Sequence, residues 1–285
     1  MYVLRPVWRL AAFGALTVVL YSSTLHELAC VWASNENYGH GFLIIPASLY
    51  LAWHKRRRVA NRPLCPSRLG IPVMAIWAGL YLLGVGGRIM TLACCSLIVF
   101  VPGVLLCTAG RRITRIMLFP VAFLVFMIPV PSEVYSLVTS PLQIAAAGLS
   151  AHVMGVLGVP VLKAGNLIHL PNCSMQVVTA CSGLRSLVSV MAISVLMGYL
   201  FFCSNIDRAL LFALSVPAAM LGNVLRITLT GLLAYNGAPG TITGFSHLMA
   251  GMLTFFLSFA LLMGGAVLIR WIERERMRYI SWHLR

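Results

Sequence analysis

A cysteine, two arginines and a histidine near the end of this chain have the types and spacing of a thiol acyl-transfer centre. Cys181 stands in Ala180-Cys181-Ser182-Gly183-Leu184-Arg185, where an extended segment gives way to a long apolar run. A cysteine at a helix N-terminus sees the positive end of the helix dipole, and Arg185, four residues on, shares its helix face. Both favour the thiolate, the form that attacks a carbonyl. Arg226, in Gly222-Asn223-Val224-Leu225-Arg226, lies within another apolar run, and an arginine beside a reacting carbonyl stabilises its oxyanion. His247 opens the last apolar run and suits a general acid toward a leaving amine. Each residue has a plainer reading. A cysteine within a membrane commonly packs as a small hydrophobe, and a histidine at a helix start commonly caps it. A guanidinium inside an apolar span is different, because it costs several kcal/mol unless it is paired or functional. Arg226 therefore carries the strongest purely physical signal.

The elements that must position these residues are membrane helices. Of 285 residues, 60% are hydrophobic and 9% charged, against about 25% charged in soluble domains. Apolar runs of the length that crosses hydrocarbon recur between short polar joints. The formal charge of +15 is not a nucleic-acid footprint. Its residues cluster at the ends of apolar runs, at Lys55 to Arg58, at Arg111, Arg112 and Arg115, and from Arg270 to Arg278, which is the positive-inside pattern. The start, Arg5 and Arg9 before an apolar run with no clean cleavage site, reads as an uncleaved first anchor. Spans are expected from Val7 to Leu25, Phe42 to Trp53, Ile71 to Gly86, Ile89 to Ala109 and Ile116 to Val130. Three more follow, from Leu184 to Cys203, Ala209 to Tyr235 and His247 to Ile269.

The stretch from Val134 to Val159 is apolar enough to cross, yet holds Ser136, Ser140, Gln143, Ser150 and His152. If it crossed, the basic cluster from Arg270 would lie outside, so an interfacial or dipping helix on the outer face is expected. Leu162 to Thr179 alternates apolar and polar residues around Gly165-Asn166 and reads as a small extended hairpin. The expected fold is all-α and polytopic, with about eight transmembrane helices, an outer interfacial helix and that hairpin before the sixth span. It forms a single membrane domain over 1–285, with a catalytic half over 160–269. Both termini are expected in the cytoplasm, and Cys181, Arg226 and His247 at the outer face of the cell membrane. Among the eight cysteines, Cys30 and Cys173 fall in expected outer loops, where a pairing is open but not required.

Four strings resemble the exosortase and archaeosortase family: TACSGLRS around Cys181, NVLRI around Arg226, the His247-to-Gly251 HxxxG spacing, and YGHGF from Tyr38 to Phe42. They occur in order, between about Trp32 and Met263. The resemblance implies a multi-spanning thiol protease or transpeptidase with Cys181 as nucleophile, Arg226 as essential cation and His247 as acid–base partner. Arg185, Asn223, Ser182 and His40 are supporting or substrate-binding candidates within the same strings. Implied partners are exported proteins ending in a short sorting motif of the PEP-CTERM type, a membrane helix and a basic tail, met within the lipid bilayer. No cofactor and no metal is expected, because no His/Asp/Glu cluster with ligand spacing occurs on the outer side. Two rivals from other classes are a transporter binding an anion at Arg226 and a non-catalytic factor for surface polysaccharide assembly. Missing repeat symmetry and the thiol at a helix start argue against the first.

Overall fold

A computed structural model of the chain describes residues 14, 15, 17–177, 184–237 and 245–283. The chain divides into two units, Met1–Pro131 and Ser132–Arg285. Helices dominate both, because a helix satisfies its backbone polar groups within the segment where no water can.

The first unit holds α1 (Ser22–Ser34), α2 (Gly41–His54), α3 (Arg56–Ala60), α4 (Gly70–Gly86), α5 (Met90–Thr108) and α6 (Arg111–Phe123). A proline inside a helix leaves one carbonyl without its donor, and polar side chains answer it here. Pro120 removes the donor for Ile116 O, and Lys55 Nζ meets that carbonyl at 3.0 Å. Ser48 Oγ donates to Pro120 O at 2.7 Å. Beyond α6 the chain tightens into a 3-10 turn, Leu124–Met127, and reaches the Pro129-Val130-Pro131 breaker. The carbonyls stranded there are held by the segment from Trp32 to Phe42. Trp32 Nε1 donates to Met127 O at 3.1 Å, Tyr38 OH to Val130 O at 3.3 Å, and His40 Nε2 to Phe126 O at 3.0 Å. A carbonyl only accepts, so His40 carries a proton on Nε2. Gly41 lies against the Trp32 indole, where any Cβ would collide with the ring.

The second unit begins with α7 (Ser132–Val156) and a three-stranded antiparallel sheet of β1 (Leu162–Ala164), β2 (Leu167–His169) and β3 (Ser174–Gln176). Then come α8 (Leu184–Phe201), α9 (Asn205–Tyr235) and α10 (Phe245–His283). Gly165, at φ 63°, turns β1 into β2. Ile168 and Met175 pair across the sheet and are buried in one cluster with Ala146 and Met154 of α7 and Val224 and Ile227 of α9. Asn172 Nδ2 donates to Tyr235 O at 3.0 Å, so the sheet closes over the C-terminal end of α9.

The remaining contacts set the helix directions. Arg208, at the start of α9, reaches back to the end of α8, with Nε 3.2 Å from Gly198 O and Nη2 2.8 Å from Phe202 O. Arg270 Nη2 adds Phe201 O at 2.9 Å. These cations satisfy the last carbonyls of α8 and complement its dipole. Gly222 of α9 abuts Ser258 and Thr254 of α10, and Gly265 abuts Leu214, so α9 and α10 are antiparallel. One end of the unit therefore carries the sheet, the end of α9 and the starts of α8 and α10. The other end carries Arg208 and Arg270.

Four helices among the described residues are long and apolar enough to cross a membrane: α5, α7, α9 and Gly251–Arg274 within α10. Gly41–His54, Gly70–Gly86 and Ser186–Phe201 are apolar but shorter. This is an all-α membrane protein, but the helices do not support the expected count of about eight crossings. The expected fifth span divides into α6, which opens on Arg111, Arg112 and Arg115, and the 3-10 turn after it. The expected first span lies largely outside the described residues. α7 also departs from an interfacial helix. From Leu142 to Met154 it runs alongside α9 in the same direction, with Ser150 Oγ donating to Val224 O at 3.2 Å and Met154 packed on Gly231. Its polar residues divide, with Ser136, Ser140 and His152 exposed and Gln143 and Ser150 buried. Ser150 and Gln143 are 0% and 8% exposed, and Gln143 Oε1 lies 3.5 Å from Asn166 Nδ2 of the sheet.

Candidate functional site

The site grows from α9. Ser204 caps that helix by accepting from Ile206 N, and the helix runs on to Tyr235. Arg226 lies nine residues before its end, roughly 13 Å along the axis from the sheet. Its guanidinium rests on Gly251 of α10, where a Cβ would stand 3.4 Å from Nη2 and 3.5 Å from Cζ. A larger residue at 251 would occupy that space. Position 247 precedes Gly251 by four residues, so the two share a helix face, with 247 about 6 Å nearer the sheet end. The side chain of His247 lies outside the described residues.

The start of α8 reaches the same level. Leu187, in its first turns, lines a small cavity with Ala219, Met220 and Asn223 of α9. On the other flank Val177, 1% exposed, joins the buried cluster of Val224 and Ile227. The described chain stops at Val177, which shares a cluster with Val224 and Ile227, and resumes at Leu184, one turn before Leu187 beside Asn223. Cys181, Ser182 and the side chain of Arg185 lie outside the described residues. Among the expected site residues, then, Arg226 and Asn223 stand on described side chains of one helix face. Position 247 shares the face of α10 that carries Gly251. His40 belongs to the first unit, where it holds Phe126 O.

The charge distribution is one-sided. The sequence has no Asp or Glu from 134 to 206 or from 208 to 272. Glu133 and Asp207 begin α7 and α9, and Glu273 lies late in α10, so these carboxylates keep to the end away from the sheet. The sheet end has Lys163 and Arg226, a positive field suited to a thiolate and to a developing oxyanion. Cys30 and Cys173 are both free thiols. In the first unit, burial raises the Tyr38 phenol above its ordinary pKa.

Gly251, beside the Arg226 guanidinium, is not among the site residues expected from the sequence. Its signal was present in the HxxxG spacing, whose glycine shares a helix face with the histidine and leaves room for a guanidinium. The family model of the transmembrane exosortases matches residues 32–264. No curated protein and no solved structure matches the chain.

Proposed function

From the premise that this chain belongs to the transmembrane exosortase family, we propose that it is a membrane cysteine peptidase or transpeptidase that cuts the C-terminal sorting signals of exported proteins. The Cys181 thiolate attacks the scissile carbonyl carbon, and the C–S bond forms as the carbonyl oxygen takes up the charge. Arg226 meets that oxyanion. Collapse of the tetrahedral adduct expels the amine, which takes its proton from His247, and leaves a thioester on Cys181. Water or an acceptor nucleophile then gives a proton to His247, attacks the thioester and releases the thiolate. Arg185, early in α8, lowers the thiol pKa by its charge.

The observation that carries this reading is the guanidinium of Arg226 seated on Gly251, one helical turn from position 247 and level with the start of α8. The catalytic half over 160–269 falls within the second unit. We place the site on the outer face of the cell membrane with both termini in the cytoplasm, supported by the basic cluster from Arg270 at the end of the second unit away from the sheet. The substrate is an exported protein ending in a sorting motif, an apolar helix and a basic tail.

The test uses Cys181→Ala and Cys181→Ser in cells that make such an exported protein. Uncut precursor is expected to accumulate in both, with enzyme abundance and membrane insertion unchanged. Replacing the other seven cysteines together should leave processing intact. Processing at the normal rate by Cys181→Ala sinks the nucleophile.

A further inference from the structure

Asn223 precedes Arg226 by three residues on α9 and is 4% exposed, yet among the described residues its Nδ2 has no hydrogen-bond partner. It borders a hollow of about 20 Å³ walled otherwise by Leu142 and Ala146 of α7, Leu187 of α8, and Val216, Ala219 and Met220 of α9. An unpaired buried donor costs about 1–3 kcal/mol, which an apolar residue of the same shape would avoid. A trapped water does not resolve this. Buried waters make about three hydrogen bonds, and among the described residues Asn223 is the one polar side chain in these walls. The hollow has room for about one oxygen atom.

We propose that Asn223 is a substrate-binding residue whose amide donates to a backbone carbonyl of the peptide being cut, on the membrane side of the scissile bond. This rests on the peptidase reading above. A peptide bond open to a thiolate lies in unwound chain, and unwound chain at this depth has carbonyls that no water can satisfy. Carbonyls on one side of an extended peptide recur every second residue, about 6.6 Å apart. Arg226 and Asn223 share a face with Cβ atoms about 5–6 Å apart, which suits that repeat. Arg226 meets the scissile carbonyl. Asn223, about 4.5 Å further from the sheet end, meets the carbonyl two residues on.

The test compares Asn223→Leu with Thr228→Val in the full chain, reconstituted in lipid nanodiscs. Thr228 is 3% exposed and its Oγ1 also lacks a hydrogen bond, but it lies outside the walls of the hollow. The probe is a tagged C-terminal tail of an exported protein from the same cells, with its motif, apolar helix and basic cluster. Both variants are expected to unfold at or above the parent temperature. Asn223→Leu should convert the tail about tenfold more slowly at low concentration, through KM rather than kcat, the loss expected for one hydrogen bond. Thr228→Val should convert it normally. In a Cys181→Ala background, crosslinked capture of the tail should fall with Asn223→Leu. Asn223→Ala, read the same way, covers overfilling by leucine. Normal conversion and capture by both Asn223 variants overturn the proposal. So does a fall in conversion that only follows a lowered unfolding temperature. If Cys181→Ala still converts the tail, the peptidase reading fails instead, and capture of the tail alone decides what Asn223 binds.

Discussion

Arg226 and Arg185 carry the same charge and differ in where they stand along their helices. Arg226 sits about 13 Å below the end of its helix, with its guanidinium beside Gly251 of the neighbouring helix. Arg185 is in the first turn of α8. A cation at the depth of Arg226 needs a polar recess, an anion or a developing oxyanion. Lysine keeps the charge but loses the planar fork that holds a carbonyl oxygen and a second acceptor together. Arg226→Lys is therefore expected to lose processing nearly as fully as Arg226→Ala, by on the order of a hundred- to a thousand-fold, the cost of removing one oxyanion donor. Arg185→Lys should keep part of the activity, since charge near the thiol is the role proposed for it. Blots for precursor and product, at equal enzyme abundance, measure both. The opposite pattern would move Arg185 into the catalytic set.

At the level of elements, glycines decide which helices approach closely. A Cβ on Gly222 would collide with Ser258 Oγ and stand 2.9 Å from Thr254 O. Gly222→Ala should therefore push α9 from α10 and cost about 1–3 kcal/mol, the usual range for overpacking. Pairing it with Ser258→Ala should recover part of the loss but not all, because the Thr254 carbonyl remains. Thermal unfolding of the two single variants and the double variant tests this; strictly additive effects would mean that the two residues are not in contact. In the first unit, Gly41→Ala meets the Trp32 indole, whose Nε1 is already committed to Met127 O. It should lower the unfolding temperature and raise protease sensitivity. Unchanged stability would show that the ring is free to move aside.

For the whole molecule, the second unit has two chemically distinct ends. The sheet covers one, and Arg208 and Arg270 close the last carbonyls of α8 at the other. α10 continues from there into the basic run ending at Arg278. Impermeant thiol labelling of single cysteines, in a background lacking the others, is expected to reach Asn166→Cys from outside the cell. Arg274→Cys should be reached only after the membrane is opened. Labelling of both from one side would mean that α10 does not cross. Labelling of Arg274→Cys alone from outside would turn the site toward the cytoplasm, away from exported substrates.

The membrane class was legible in composition, because 60% hydrophobic residues in long runs leave no other solvent for the helices. Arg226 stood out for an equally local reason, the cost of a charge in such a run. The strings around Cys181, Arg226 and His247 identified the family, and the family match over residues 32–264 agrees with them. Other features depended on neighbours distant in the chain. The polarity of Ser136, Ser140, Gln143, Ser150 and His152 suggested a helix at the interface, but Asn166 and Val224 O take up Gln143 and Ser150 inside the unit. The expected span from Ile116 to Val130 is not one continuous α-helix: α6 runs through Pro120 to Phe123 and a 3-10 turn follows, with carbonyls at Ile116, Pro120 and Phe126 met by Lys55, Ser48 and His40. Gly251 beside Arg226, and Asn223 at its buried hollow, emerged only once α7, α8, α9 and α10 were packed together. Hydropathy sums what each residue would lose by leaving water. Which partner repays that loss depends on tertiary contacts between residues far apart in sequence.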